Sequence, residues 1–213
     1  MFSEIFIKGE DRTQELRQFA NTVGLNRSAE GRYSSLFLAQ LFIQSFELGV
    51  LNAERVVVEI EALEGMRQSH TKAPTAFRKP PLQGLWHKHH TVDGISSMAM
   101  NMLNGIRKDG IPWLEKSVKE AMDSGEERFV TEDDIRKICN DAVVGNYERR
   151  FEAKEMTGEW IVYACHKEKN YYLCLGAHNT GDDVIRRQID SACVPEFPFL
   201  EDVLVPWGKA PSN

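Results

Sequence analysis

The sequence predicts an α+β protein: a mainly helical N-terminal two-thirds packed on a small antiparallel sheet, the sheet built around a C-terminal β-hairpin followed by a helix. Three observations carry this reading. Apolar residues recur at helical spacing over most of residues 28–155. The period then switches at EWIVYACH and NYYLCLGAH, which are rich in β-branched and aromatic residues. Last, Thr180-Gly-Asp-Asp opens a new helical pattern, with Ile185, Ile189, Ala192 and Cys193 on one side.

The elements follow in order. FSEIFIK suits a short strand. Residues 28–48 form an apolar helical stretch that ends at Gly49, a natural helix-terminating residue. Asn52 caps a second helix carrying Val56, Ile60 and Leu63, with Gly65 behind it. Asp93 is placed to cap DGISSMAMNMLNG, whose Met98, Met100 and Met102 make it methionine-rich. Pro112 fits the first turn of the next helix, and Gly125 follows that helix. Thr131 and Asp134 resemble a capping box, and the stripe behind them runs on to Tyr147, Phe151 and a helix end near Glu155. The acidic run Glu126-Glu127 and Glu132-Asp133-Asp134 suits a helix start and calls for no metal. A hairpin through the linker KEK joins the two strand-like segments. An isolated hairpin is marginal in water, so a third strand must flank it, drawn from residues 2–7, 84–92 or 199–205. VLV near 203–205 is expected as a last strand. The tail GKAPSN is expected to fray.

At 213 residues the chain can build one large domain or two small ones. Residues 1–70 read as a helical region, 71–92 as a basic Pro/His-rich loop, and 93–213 as helices plus the hairpin and its helix. These are expected to form one compact unit. The net charge of −6 argues against duplex-DNA reading, which needs a basic face. The four cysteines show no CxxC spacing and read as reduced thiols. No leader-like apolar run opens the chain, and LFLAQLFIQSF is too short to span a bilayer. A cytoplasmic protein without a membrane partner is expected.

Against this acidic background, Gly65 to Val92 contains no Asp or Glu. It holds Arg67, Lys72, Arg78, Lys79 and Lys88, three of the eight prolines, and four of the six histidines: His70, His87, His89 and His90. Loops with concentrated chemistry are candidate functional segments. If LWHKHHT is extended, His87 and His89 project to one face and Lys88 and His90 to the other. HxH on a strand can start a metal site, but a third ligand, such as Asp93 or His178, would have to come from elsewhere. No complete ligand set is visible, and no metal or other cofactor is expected.

Acid–base chemistry on a phosphodiester suits the same residues. Imidazole titrates near neutrality and can move protons, while Lys and Arg neutralise phosphate oxygens. A three-residue turn at KEK would pair His166 with Asn170, Cys165 with Tyr171, Cys174 with Val162, and His178 with Gly158. The two imidazoles would then lie roughly 26 Å apart and could not share a site. Of the two, His178 precedes Asn179-Thr180-Gly181 at a helix start, where free N–H groups favour an anion. The catalytic candidates are therefore His178, His87 and His89. The substrate-binding candidates are Lys88, Arg78, Lys79, Trp86, Tyr172 and Arg186, with Trp86, Tyr171 and Tyr172 available for base stacking.

The expected function is a small ribonuclease-like enzyme of toxin or defence type, with RNA as candidate partner. Helices around a small sheet with scattered His, Lys and Arg are also the make-up of metal-free ribonuclease toxins, an analogy of fold class alone. The alternative is a non-catalytic interaction or regulatory module that holds a protein partner through the Pro/His window and the Met-rich helix. Phosphate-binding glycine loops of the GxGxxG and GxxxxGK[ST] types, the GxSxG nucleophile motif and HExxH are all absent.

Overall fold

The computed structural model describes residues 4–92, 94–125, 129–177 and 179–207, with Ser96 described by its backbone only. Asp93, Glu126, Glu127, His178 and the tail from residue 208, for which the sequence carries expectations, lie outside the described residues. Helix dominates, and the strands form antiparallel sheets, as an α+β fold requires.

The chain opens with a two-residue ladder, β1 (Phe6–Ile7) against β2 (Glu10–Asp11). Four helices follow: α1 (Thr13–Thr22), α2 (Leu25–Ala29), α3 (Ser35–Phe42), extended by a π-helical turn at Ile43–Glu47, and α4 (Ala53–Leu63). Ser34 caps α3 and Asn52 caps α4, each accepting a backbone N–H. Next come β3 (Thr75–Ala76) and β4 (Trp86–His90). Then α5 (Ile95–Asp109), α6 (Pro112–Ser124), α7 (Glu132–Asn140), a π-helical turn at Asp141–Gly145 and α8 (Asn146–Glu152) form a helical lobe. Thr131 and Asp134 make the expected capping box. The chain closes with β5 (Glu159–His166), β6 (Lys169–Gly176), α9 (Asp182–Gln188) with a π-helical turn at Ile189–Cys193, α10 (Val194–Glu196) and α11 (Leu200–Val203).

The main sheet has the order β3-β4-β5-β6, antiparallel throughout. The third strand beside the hairpin is thus taken from residues 84–92. The window expected as the loop 71–92 is a sheet component at Trp86–His90, because alternating side chains find buried surface on both faces there. One face packs on α1–α4 through Ile161, Tyr163 and Tyr172. The other packs on α9–α11 through Val162, Ala164, Leu173 and Cys174. The free edge of β6 is covered by residues 32–34, where the Tyr172 N–H donates to the Arg32 carbonyl and the Ser34 hydroxyl to the Leu173 carbonyl.

Three local expectations are corrected. The helix expected over residues 28–48 is interrupted between Ala29 and Ser35, because residues 32–34 pair with the edge of β6. The hairpin turn has two residues, Lys167 and Glu168, both at positive φ. His166 therefore pairs with Lys169 and Cys165 with Asn170, while a bulge at Leu173 restores the expected Val162–Cys174 pair. VLV forms no strand: Val203 ends the short helix α11, and Leu204 just beyond it joins Leu200 in the second core. Among the described residues, no helix is long and apolar enough to cross a membrane.

Candidate functional site

Strand alternation sorts the HKHH segment. His87 and His89 share a face, with ring centroids 5.5 Å apart. His87 packs against Phe77 at 4.7 Å and Trp160 at 5.2 Å. The Nδ1 of His89 lies 2.8 Å from the Gly158 carbonyl. The Gly158 N–H points to the same ring nitrogen at 3.4 Å, so this one residue fixes the imidazole's orientation.

His89 lines a cleft of about 760 Å³. The ends of β4 and β5, the first half of α5 and the chain after β6 form its walls. Lys72, Glu159, Ser97, Asn104 and Asn179 give it polar character. Ala177 and Asn179 both line it. The imidazole segment and the chain on either side of position 178 are therefore neighbours, although His178 itself lies outside the described residues. His166 stands at the opposite end of the hairpin, stacked on Phe199 at 4.2 Å.

Several expected substrate contacts have internal partners instead. Lys88 is buried on the face opposite His87. Its ammonium donates to Ser69 Oγ at 2.8 Å and to the Lys72 carbonyl at 2.6 Å, and it stands 3.3 Å from the Glu59 carboxylate. Burial pushes the Lys88 pKa down, against the pull of Glu59. The role expected of Lys88 as a phosphate contact gives way to an indirect one. Lys88 fixes the Lys72 backbone, and Thr71, which shares Glu59, donates to the His89 carbonyl at 2.9 Å. One buried knot thus holds the backbone of both the cationic and the imidazole residue of the cleft.

Tyr172 is fully buried, with its hydroxyl donating to Glu64 at 2.6 Å, so no ring face is open for stacking. Burial, then Glu64, pushes its phenol pKa up. Arg186 is buried as well. It donates to the carbonyls of Pro81 at 2.6 Å and Val205 at 3.0 Å and pairs with Asp190 at 2.8 Å, tying three segments together. Trp86 is half-buried against the N-terminal helical core. Arg78 and Lys79 are exposed between β3 and β4, outside the cleft lining. Local sequence cannot tell a solvent-facing cation from one that closes a buried network, because the partners are far away in the chain.

The cleft contributes groups that pattern reading passed over. Lys72 stood among the window's cations with nothing to single it out. Glu159 opens a strand and pairs across to His90. His90 itself is fully buried, and neither of its ring nitrogens has a hydrogen-bond partner of good geometry. Burial lowers its pKa to about 4; the Thr91 backbone opposes this by less, and the nearby His89 adds to it. Among the described residues, no group of three His, Cys, Asp or Glu is arranged to hold a metal ion. Partial desolvation raises the thiol pKa of Cys165 although the residue reaches the surface, which disfavours the reactive thiolate.

Comparisons with family models, with curated proteins and with solved structures return no match for this chain.

Proposed function

We propose that the cleft beside His89 is the working site of an enzyme acting on a phosphodiester, with RNA as the substrate class. The observation that carries this reading is the meeting of His89, Lys72 and the chain flanking position 178 in one cleft. In RNA cleavage the 2′-oxygen attacks phosphorus and the bond to the 5′-oxygen breaks. A base takes the 2′-hydroxyl proton, an acid returns one to the leaving oxygen, and a cation offsets charge on the phosphoryl oxygens. His89 suits one proton-transfer role. The sequence offers His178 for the other. Lys72 suits the cation role, with Ser97, Asn104 and Asn179 as neutral hydrogen-bonding groups at the walls.

Incubation of the protein with end-labelled RNA between pH 5 and 8, with and without EDTA, tests the proposal. Cleavage that survives EDTA and falls at least about a hundredfold in His89→Ala supports it. Absence of cleavage across that range rejects it. Cleavage lost in EDTA moves the chemistry to a metal.

A second reading, a non-catalytic interaction module, is favoured by a different observation. The helices of the lobe leave large apolar side chains exposed, among them Met98, Val118, Met122 and Ile135. Surface of that kind marks interaction sites. Under this reading the His89 variant keeps full function in cells, and substitutions on the lobe abolish it.

A further inference from the structure

We propose that the groove between α5 and α8 is a docking site for a cationic amphipathic helix of a protein partner, an inference that rests on the interaction reading above. The groove has a volume of about 550 Å³ and is floored by Met98, Met102, Val143, Val144, Tyr147 and Phe151. Four of these stay between 41 and 48% exposed: Met98, Val143, Val144 and Phe151. Neither α6, α7 nor the π-helical turn at Asp141–Gly145 buries a residue, so the lobe does not close over its own apolar surface. The π-helical turn is pinned in place: Asp141 accepts the Trp113 N–H at 2.8 Å and the Arg149 guanidinium at 2.7 Å. Such turns recur at functional sites. Methionine side chains adapt to the shape of an inserted helix face.

Charge selects the occupant. The charged groups on the groove are Glu148 and Glu152, one turn apart on α8. Neither forms an ion pair among the described residues, and no cation lines the groove. The complement is an apolar stripe flanked by Lys or Arg at matching spacing, as in helix-in-groove recognition. A fatty acid would bring its carboxylate against two others. A second copy of this chain would bring the same acidic rim to the contact.

The probe is a fluorescein-labelled synthetic amphipathic Leu/Lys helix of about five turns, read by anisotropy, with a Leu/Glu helix of the same pattern as control. The Leu/Lys helix is expected to bind and the Leu/Glu helix to fail. Glu148→Lys with Glu152→Lys is expected to weaken binding at least about tenfold. Glu132→Lys with Asp133→Lys, the same change in net charge elsewhere on the lobe, is expected to leave binding intact. Both residue pairs are exposed, and circular dichroism of the two double variants checks that the fold is retained. Equal loss in both charge swaps, or equal binding of the two peptides, overturns the proposal. If Met102→Glu abolishes binding while the Glu148/Glu152 swap does not, the cationic occupant goes and the interaction reading stays. A dimer in light scattering that Phe151→Ser dissociates makes a second copy the occupant. A monomer that binds neither peptide removes the proposal and the interaction surface together.

Discussion

Acidification acts on this fold through His90 in a way that can be calculated. The ring is fully buried, and burial holds its pKa at about 4, against 6.5 for a free histidine. Between these values the unfolded chain binds a proton that the native ring does not. Stability from this group is therefore complete above pH 6.5 and is lost as pH falls toward 4. The whole shift corresponds to about 3 kcal/mol, and roughly 2 kcal/mol of it goes between pH 7 and pH 5. Urea unfolding of the native protein and of His90→Leu, each at pH 7 and pH 5, isolates the effect, because the other titrating groups are common to both. The native protein is expected to lose about 2 kcal/mol more than the variant over that interval. If the two lose the same amount, or if the His90 ring titrates near 6.5 in an NMR experiment, His90 is not the buried neutral group described above.

Three further outcomes follow from buried contacts. Lys88→Met leaves Glu59 buried without its cation and is expected to cost about 3–5 kcal/mol, with Lys88→Met/Glu59→Leu recovering much of the loss. Strictly additive losses in a double-mutant cycle by urea unfolding would contradict this. Gly158→Ala places a Cβ 1.8 Å from the His90 carbonyl oxygen, so β4 and β5 must part. A cost of at least about 2 kcal/mol and exposure of β4 amides to hydrogen exchange are expected; unchanged protection would count against the packing. Tyr172→Phe removes the hydroxyl on Glu64 and is expected to lower stability by about 1.5–3 kcal/mol, measured by thermal unfolding, whereas a neutral result would mean the Glu64 carboxylate is satisfied without it.

Legibility in the sequence was greatest where interactions are local. The Asn52 cap, Pro112 in the first turn of α6, the Thr131–Asp134 capping box and the Ile185/Ile189/Cys193 stripe all depend on residues within about four positions of one another. The shared face of His87 and His89 follows from strand alternation and needs nothing more. The turn at Lys167-Glu168 is one residue shorter than the sequence suggests, because neither position carries the Gly or Asn that marks two successive left-handed residues. The bulge at Leu173 has no local mark at all.

From the sequence by itself came the fold class, the starts of three helices at Asn52, Pro112 and Thr131, the hairpin and a cation-rich window holding two histidines on one strand face. Tertiary structure alone decided that the window supplies the third strand, that Lys88 and Arg186 close internal networks, and that Lys72 and Glu159 reach the cleft with His89. The physical reason is range. Backbone propensity and capping act within a turn or two, whereas the destination of a charged side chain is set by which distant carboxylate or carbonyl the fold brings within about 3 Å of it.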